Sequence, residues 1–180
     1  RFFLSGDEKE ALSIMDDRRS RYVVTDSRML GPGLSAMVLW TDEMPADYVS
    51  ITKDAYDHTD KFLRTTLARC HLFDCQGMSH LRLIYESLPE GSDLSANQVK
   101  IFERVSGARI SGAATEEPVV AALDVTTNQG RCFQYTTIAA ARDGRYEMTV
   151  PYSTDGGCPV RAIGPYTLSS GDKVLLVDVG

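Results

Sequence analysis

Tyr22-Val23-Val24-Thr25-Asp26-Ser27-Arg28-Met29 runs almost directly into Gly31-Pro32-Gly33. The first four residues are strand formers suited to a pleated, half-buried segment. Asp26 is a strong helix N-cap, because its carboxylate accepts from backbone N–H groups two or three residues on. Asp26 and Met29 then fall on neighbouring parts of one helical turn. Gly-Pro-Gly interrupts that turn, since proline lacks a donor and glycine takes unusual dihedrals, before apolar Leu34 to Trp40 resume a helix. A strand that delivers a carboxylate and a thioether into a backbone break is suited to holding a small polar ligand. The plain alternative is a strand, a capping Asp and a loop.

Working outward, Ser5 with Glu8 matches a capping box, and Ala11, Leu12, Ile14 and Met15 form one apolar stripe, which predicts a helix over residues 7–18. A second helix is expected over Asp54 to Leu72, where Phe62, Leu63, Thr66, Leu67 and Cys70 recur at spacings of three and four. Strands are expected at Leu81 to Glu86 and Val99 to Val105. After Pro118 the pattern changes to short strands separated by turn residues: Val119 to Val125, Arg131 to Thr137, Arg145 to Val150, Val160 to Ile163 and Lys173 to Val179. Thr127-Asn128-Gln129-Gly130, Arg142-Asp143-Gly144 and Asp155-Gly156-Gly157 supply the residues that accept positive φ between them. The small, polar run Ser111 to Glu117 suits a linker. The expectation is an α+β chain, with a mixed α/β core domain over 1–117 and a small β-sandwich or barrel-like accessory domain over 118–180.

Composition excludes several classes. At 43% hydrophobic and 24% charged residues, the 180-residue chain is ordinary for a globular protein. No apolar run approaches the roughly 18 residues that a membrane span requires, and Arg1 to Ser5 are too few for a signal peptide. The start resembles that of an excised piece. Formal net charge is −6, and no aromatic–basic interleaving is present, so nucleic acid is not an expected partner. His58, His71 and His80 have no metal-ligand spacing. Cys70, Cys75, Cys132 and Cys158 do not follow a zinc pattern; a Cys70–Cys75 disulfide and buried thiols both remain open. No nucleophile elbow and no phosphate-binding glycine loop occurs.

Arg1-Phe2-Phe3-Leu4-Ser5, then Tyr22 to Asp26 with Met29, then Leu72-Phe73-Asp74 with Leu81-Arg82-Leu83-Ile84-Tyr85-Glu86-Ser87, then Val99-Lys100-Ile101-Phe102-Glu103 resemble, in order, the extracytoplasmic C-terminal part of the archaeal oligosaccharyltransferase catalytic subunit. Thr127 to Arg131 and Asp143 to Thr154 look like the β-rich segment that ends its shorter members. The resemblance implies a multi-pass membrane glycosyltransferase at the extracytoplasmic face. Such an enzyme moves a lipid-linked oligosaccharide onto Asn of an acceptor polypeptide's Asn-x-Ser/Thr sequon and uses a divalent metal, manganese or magnesium.

The family's Trp-Trp-Asp-Tyr-Gly motif is expected ahead of Arg1, and the one tryptophan here, Trp40, does not sit in it. Its metal carboxylates belong to membrane-side loops. The chain is therefore expected to hold no metal or cofactor and to be inactive alone. A family element of the form Asp-x-x-Lys, with Met or Ile variants, borders the Ser/Thr pocket. Asp26-Ser27-Arg28-Met29 resembles the Met variant, which implies that Asp26 and Met29 bind acceptor, although Gly33 stands where the longer pattern has an apolar residue. Asp57, Asp60 and Lys61 form a weaker rival at the wrong spacing. The reading from another class is a secreted or cell-surface binding module without catalysis.

Overall fold

A computed structural model describes residues 1–51, 56–88, 98–114 and 118–180. In chain order these form α1 (Glu8–Asp17), β1 (Tyr22–Asp26), α2 (Pro32–Val38), β2 (Val49–Ile51), β3 (Tyr56–His58), α3 (Asp60–Leu63) and α4 (Thr66–His71). There follow β4 (Leu81–Glu86), β5 (Val99–Arg104), β6 (Ala108–Ala113), β7 (Val119–Thr126), β8 (Cys132–Ala139) and β9 (Arg145–Val150). The last strands are β10 (Arg161–Ala162), β11 (Tyr166–Ser170) and β12 (Lys173–Val177). The α+β class holds, with open sheets and no closed barrel among the described residues.

Two compact units interleave along the sequence. One comprises Arg1–Asp74 with Ser87–Ile101, the other Cys75–Glu86 with Phe102–Gly180. Neither begins or ends at residue 118, because β6, ahead of that point, pairs along its whole length with β9, behind it.

In the first unit, Leu34 and Val38 of α2, Tyr48, Val49, Phe62, Leu67 and Ala68 make a buried cluster, against which Phe3, Leu4, Met29, Leu30 and Met37 pack. Each large side chain so buried contributes about 1.5–3 kcal/mol. Helix α1 is capped by Asp7, whose carboxylate accepts from Lys9 N at 2.9 Å, and not by Ser5. Ser5 Oγ instead accepts from Asp7 N at 3.1 Å and donates to Glu10 at 2.6 Å, so the cap stands two residues after the expected one and the capping box does not form.

The single helix expected over Asp54 to Leu72 is also corrected. Its start at residues 54–55 lies outside the described residues, Tyr56–His58 is strand, and two short helices follow. Thr59 and Thr65 account for the break: each accepts a hydrogen bond from the N–H three residues on, at 3.3 Å from Phe62 and 3.2 Å from Ala68, and so starts a new helix.

In the second unit, β7 carries the five-stranded sheet. Val119, Ala121, Leu123 and Val125 point inward by strict alternation. One edge of β7 pairs with β8; the other is shared by β11 at Val120–Ala122 and β10 at Val125–Thr126. Strand β12 closes onto β11. Three tyrosines fill the interior with their hydroxyls satisfied: Tyr135 donates to Met78 O at 2.8 Å, Tyr152 accepts from Leu83 N at 2.9 Å, and Tyr166 donates to Tyr152 O at 3.0 Å. Burial, with the neighbouring Tyr135, holds the Tyr166 phenol far above its ordinary range.

Buried Glu86 is met by Arg131 Nη2 at 2.7 Å and by Thr127 Oγ1 at 2.7 Å, which pins the turn between β7 and β8. Arg142-Asp143-Gly144-Arg145 is the tight hairpin that its residues predict, with φ of 51° at Asp143 and 73° at Gly144. The run read as a linker from Ser111 begins as the end of β6; residues 115–117 of it lie outside the described residues. Strand β11 lies between the strands expected at Val160 to Ile163 and Lys173 to Val179.

Candidate functional site

Strand β1 ends where its extended backbone places Asp26 at φ −133°, ψ 141°, and the next four residues, Ser27–Leu30, form a 3-10 turn. Asp26 Oδ1 accepts from Arg28 N at 2.8 Å. In return the Met29 thioether accepts from Asp26 N at 3.4 Å, so sulfur closes the cap in the place where a glutamate oxygen ordinarily does. Arg28 folds back on the same carboxylate, Nε at 3.0 Å from Oδ1 and Nη2 at 2.6 Å from Oδ2. That guanidinium contact holds the Asp26 carboxyl below the usual carboxylate range.

Gly33 has a local cause: a Cβ there would stand 2.9 Å from Arg28 O, so the turn and the first turn of α2 approach too closely for any larger residue. His58 Nε2 lies 3.0 Å from Leu30 O and its ring stacks on Phe62 at 4.1 Å, which anchors the far end of the turn. Met29 is therefore held at both ends, half-buried against the apolar cluster.

Behind β1 runs a buried polar chain. Thr25 Oγ1 is hydrogen-bonded to His71 Nδ1 at 2.8 Å. Lys100 Nζ donates to His71 O and to Asp74 Oδ1, both at 2.8 Å, with side chains only 6% and 9% exposed. Burial, assisted by the Lys100 charge, pushes the His71 imidazole down to about 4, so it is neutral at physiological pH. These groups tie β1, α4 and the start of β5 to one another beneath Asp26. Lys100, a cation between Val99 and Ile101 in a strand-like run, is the sign of this network in the sequence.

The rival residues lie elsewhere. Asp57 is exposed on β3, opposite Ser50. Asp60 and Lys61 line an open cavity of about 680 Å³ with Arg1, Glu10, Glu43 and Arg64, and neither Asp26 nor Met29 is in its wall. Lys61 bonds to Glu43 and, at 3.3 Å, to Asp47, and stands 4.6 Å over the Tyr48 ring. Glu43 raises the Lys61 ammonium, while burial first and Glu43 second push the Tyr48 phenol up to about 12. Lys61 is thus committed to its own acidic neighbours.

Among the described residues no three His, Cys, Asp or Glu side chains converge as a metal set. His80 Nδ1 faces Val105 O at 3.3 Å. The four cysteines are thiols, with Cys70 and Cys75 buried.

Residues 107–180 match the family described as Archaeal glycosylation protein B long peripheral domain. The family resemblance is borne out. A curated relative, Dolichyl-phosphooligosaccharide-protein glycotransferase 3 of Archaeoglobus fulgidus, is 22% identical over 262 aligned residues, covering 96% of this chain and 30% of the relative. The chain thus spans under a third of that protein's length.

The crystal structure of the Archaeoglobus fulgidus oligosaccharyltransferase with zinc and sulfate shares the fold at a TM-score of 0.86 and 23% identity, over 99% of this chain and 34% of that one. The same organism's enzyme tethered to an acceptor peptide containing the NVT sequon does so at 0.83 and 23%, over 99% and 32%. Its complex with an inhibitory peptide and a dolichol-phosphate gives 0.86 and 22%, over 99% and 31%. No helix among the described residues is long and apolar enough to cross a membrane.

Proposed function

We propose that this chain is the extracytoplasmic part of an archaeal oligosaccharyltransferase catalytic subunit. The longer protein transfers a lipid-linked oligosaccharide to Asn of an Asn-x-Ser/Thr sequon, and the turn Asp26–Met29 forms part of the pocket that receives the residue two places after that Asn. The observation that carries this reading is the reciprocal cap. Asp26 N holds Met29 Sδ, the Asp26 carboxylate holds the turn, and the thioether side chain is thereby fixed half-buried against an apolar cluster. A fixed, polarisable, unbranched side chain suits contact with a threonine methyl. The solved neighbour tethered to an NVT acceptor peptide supports the substrate class.

The chain alone is inactive on this reading, because amide activation and leaving-group stabilisation rest on groups outside it. The test compares the 180-residue chain with a longer protein containing it, in an assay of glycan transfer to a Thr-sequon peptide with lipid-linked donor and manganese or magnesium. Transfer by the longer protein only is expected; turnover by the isolated chain would overturn the assignment.

A further inference from the structure

We infer that the polar face of the β6–β9 ribbon is a binding site for an acidic oligosaccharide. The inference stands on the second unit alone and needs nothing from the Asp26–Met29 turn. Strands β6 and β9 pair with Arg109 opposite Thr149, Ser111 opposite Glu147 and Ala113 opposite Arg145. By the two-residue period of a strand, all six share one face, while Ile110 opposite Met148 turn inward on the other and are buried.

The hairpin that precedes β9 adds a further arginine. Arg142 N donates to Arg145 O at 2.7 Å and Arg145 N to Arg142 O at 3.0 Å, so the two are a directly opposed, hydrogen-bonded pair whose side chains leave on the same side. Like charges so placed repel and destabilise a hairpin. Neither guanidinium has an ion-pair or hydrogen-bond partner among the described residues. Arg109 is paired with Glu147 at 2.5 Å, with both side chains more than half exposed. Two arginines opposed in a tight turn, with no counter-charge among the described residues, forgo stability unless an anion joins them.

The surroundings define the anion. Arg109, Arg142 and Arg145 line a cleft of about 700 Å³ together with the hydroxyls of Ser111, Thr137 and Thr149. Glu147 is the acidic residue of that wall, and it is already engaged. Planar guanidinium forks match carboxylate or phosphate oxygens two at a time, and hydroxyls that donate and accept match sugar hydroxyls. The volume lies within the range of small-molecule sites and above what one inorganic anion fills. A sugar chain bearing carboxylates answers both halves of the lining.

The test is calorimetry and NMR titration of the 180-residue chain with tetragalacturonate, with maltotetraose as a neutral tetrasaccharide and with inorganic phosphate. The acidic tetrasaccharide is expected to bind and to shift the amides of Arg142, Arg145 and Thr149, with affinity falling as salt rises; maltotetraose is expected not to bind. Arg142→Gln with Arg145→Gln should weaken binding about tenfold, the loss of two exposed charge-assisted contacts, while the melting temperature stays level or rises because the repulsion is gone. The inference is overturned if tetragalacturonate does not bind, if the neutral sugar or phosphate binds as well as the acidic one, if the double substitution leaves affinity unchanged, or if it lowers the melting temperature.

Discussion

Replacing Lys100 by Met tests whether the buried chain behind β1 is a structural strut. The substitution keeps length and apolar volume and removes the ammonium that donates to His71 O and Asp74 Oδ1, both at 2.8 Å. Asp74 stays buried in its left-handed backbone conformation, with φ of 50°, and cannot swing to solvent without breaking that turn. Removing one partner of a buried ion pair costs about 3–5 kcal/mol, because a desolvated charge is deprived of its counter-charge. On a domain of this size that corresponds to a melting-temperature loss of roughly 6–20 °C.

Denaturant and thermal melts of the 180-residue chain measure this directly. Adding Asp74→Asn to Lys100→Met should recover about 1–3 kcal/mol, since the buried carboxylate is then gone and Asn tolerates positive φ. Lys100→Met by itself should raise the His71 imidazole from its value of about 4, because one of the two causes holding it down is the Lys100 charge; an NMR titration of the ring protons reads it. A loss below about 1 kcal/mol, the range of a surface pair, with an unmoved His71 titration, would refute the reasoning.

Met29→Ala in the longer protein should reduce kcat/KM for Thr-sequon peptides by about 1–3 kcal/mol and for Ser-sequon peptides by less, because serine lacks the methyl; equal losses together with a large fall in melting temperature would make Met29 a core residue only. Asp26→Ala should damage both acceptors alike through loss of the cap, worth about 0.5–2 kcal/mol, as read in the same assay. His71, whose folded value of about 4 lies below its ordinary 6.5, takes up a proton more readily unfolded than folded. Its contribution is therefore fully present above pH 6.5 and should fall by roughly 3 kcal/mol as pH drops from 6.5 to 4, with His71→Gln flattening the stability–pH curve in that window. Gly33→Ala should destabilise by about 1–3 kcal/mol, since its Cβ would meet a backbone oxygen that cannot yield without moving the turn; a denaturant midpoint unchanged from the parent would contradict the packing argued for Arg28 O.

Some elements were written locally. Leu81–Glu86 and Arg145–Val150 appear at the bounds that their strand-forming, alternating residues predict. Gly130, Asp143, Gly144, Gly156 and Gly157 all take the positive φ for which their turns were read. Asp26 caps the turn that its side chain can reach without help from the rest of the fold. Such features depend on contacts within about four residues, where side-chain chemistry and sterics act before any tertiary packing forms.

Other elements needed the folded chain. Thr59 and Thr65 were legible only as members of a helical pattern; their role as caps depends on where the surrounding chain requires the helix to restart. Ser111 to Ala113 read as the start of a small, polar linker, and they end a strand because β9 pairs with Ala108–Ala113 from more than thirty residues away. Lys100, His71 and Thr25 meet across separations of 29 and 46 residues. The sequence alone thus determined the turns, most strands and the Asp26–Met29 cap. Only tertiary structure decided the buried Thr25–His71–Lys100–Asp74 chain, the commitment of Lys61 to Glu43 and Asp47, and the gathering of Arg109, Arg142 and Arg145 on one face. Burial and long-range pairing set those energies, and neither is a property of a local run of residues.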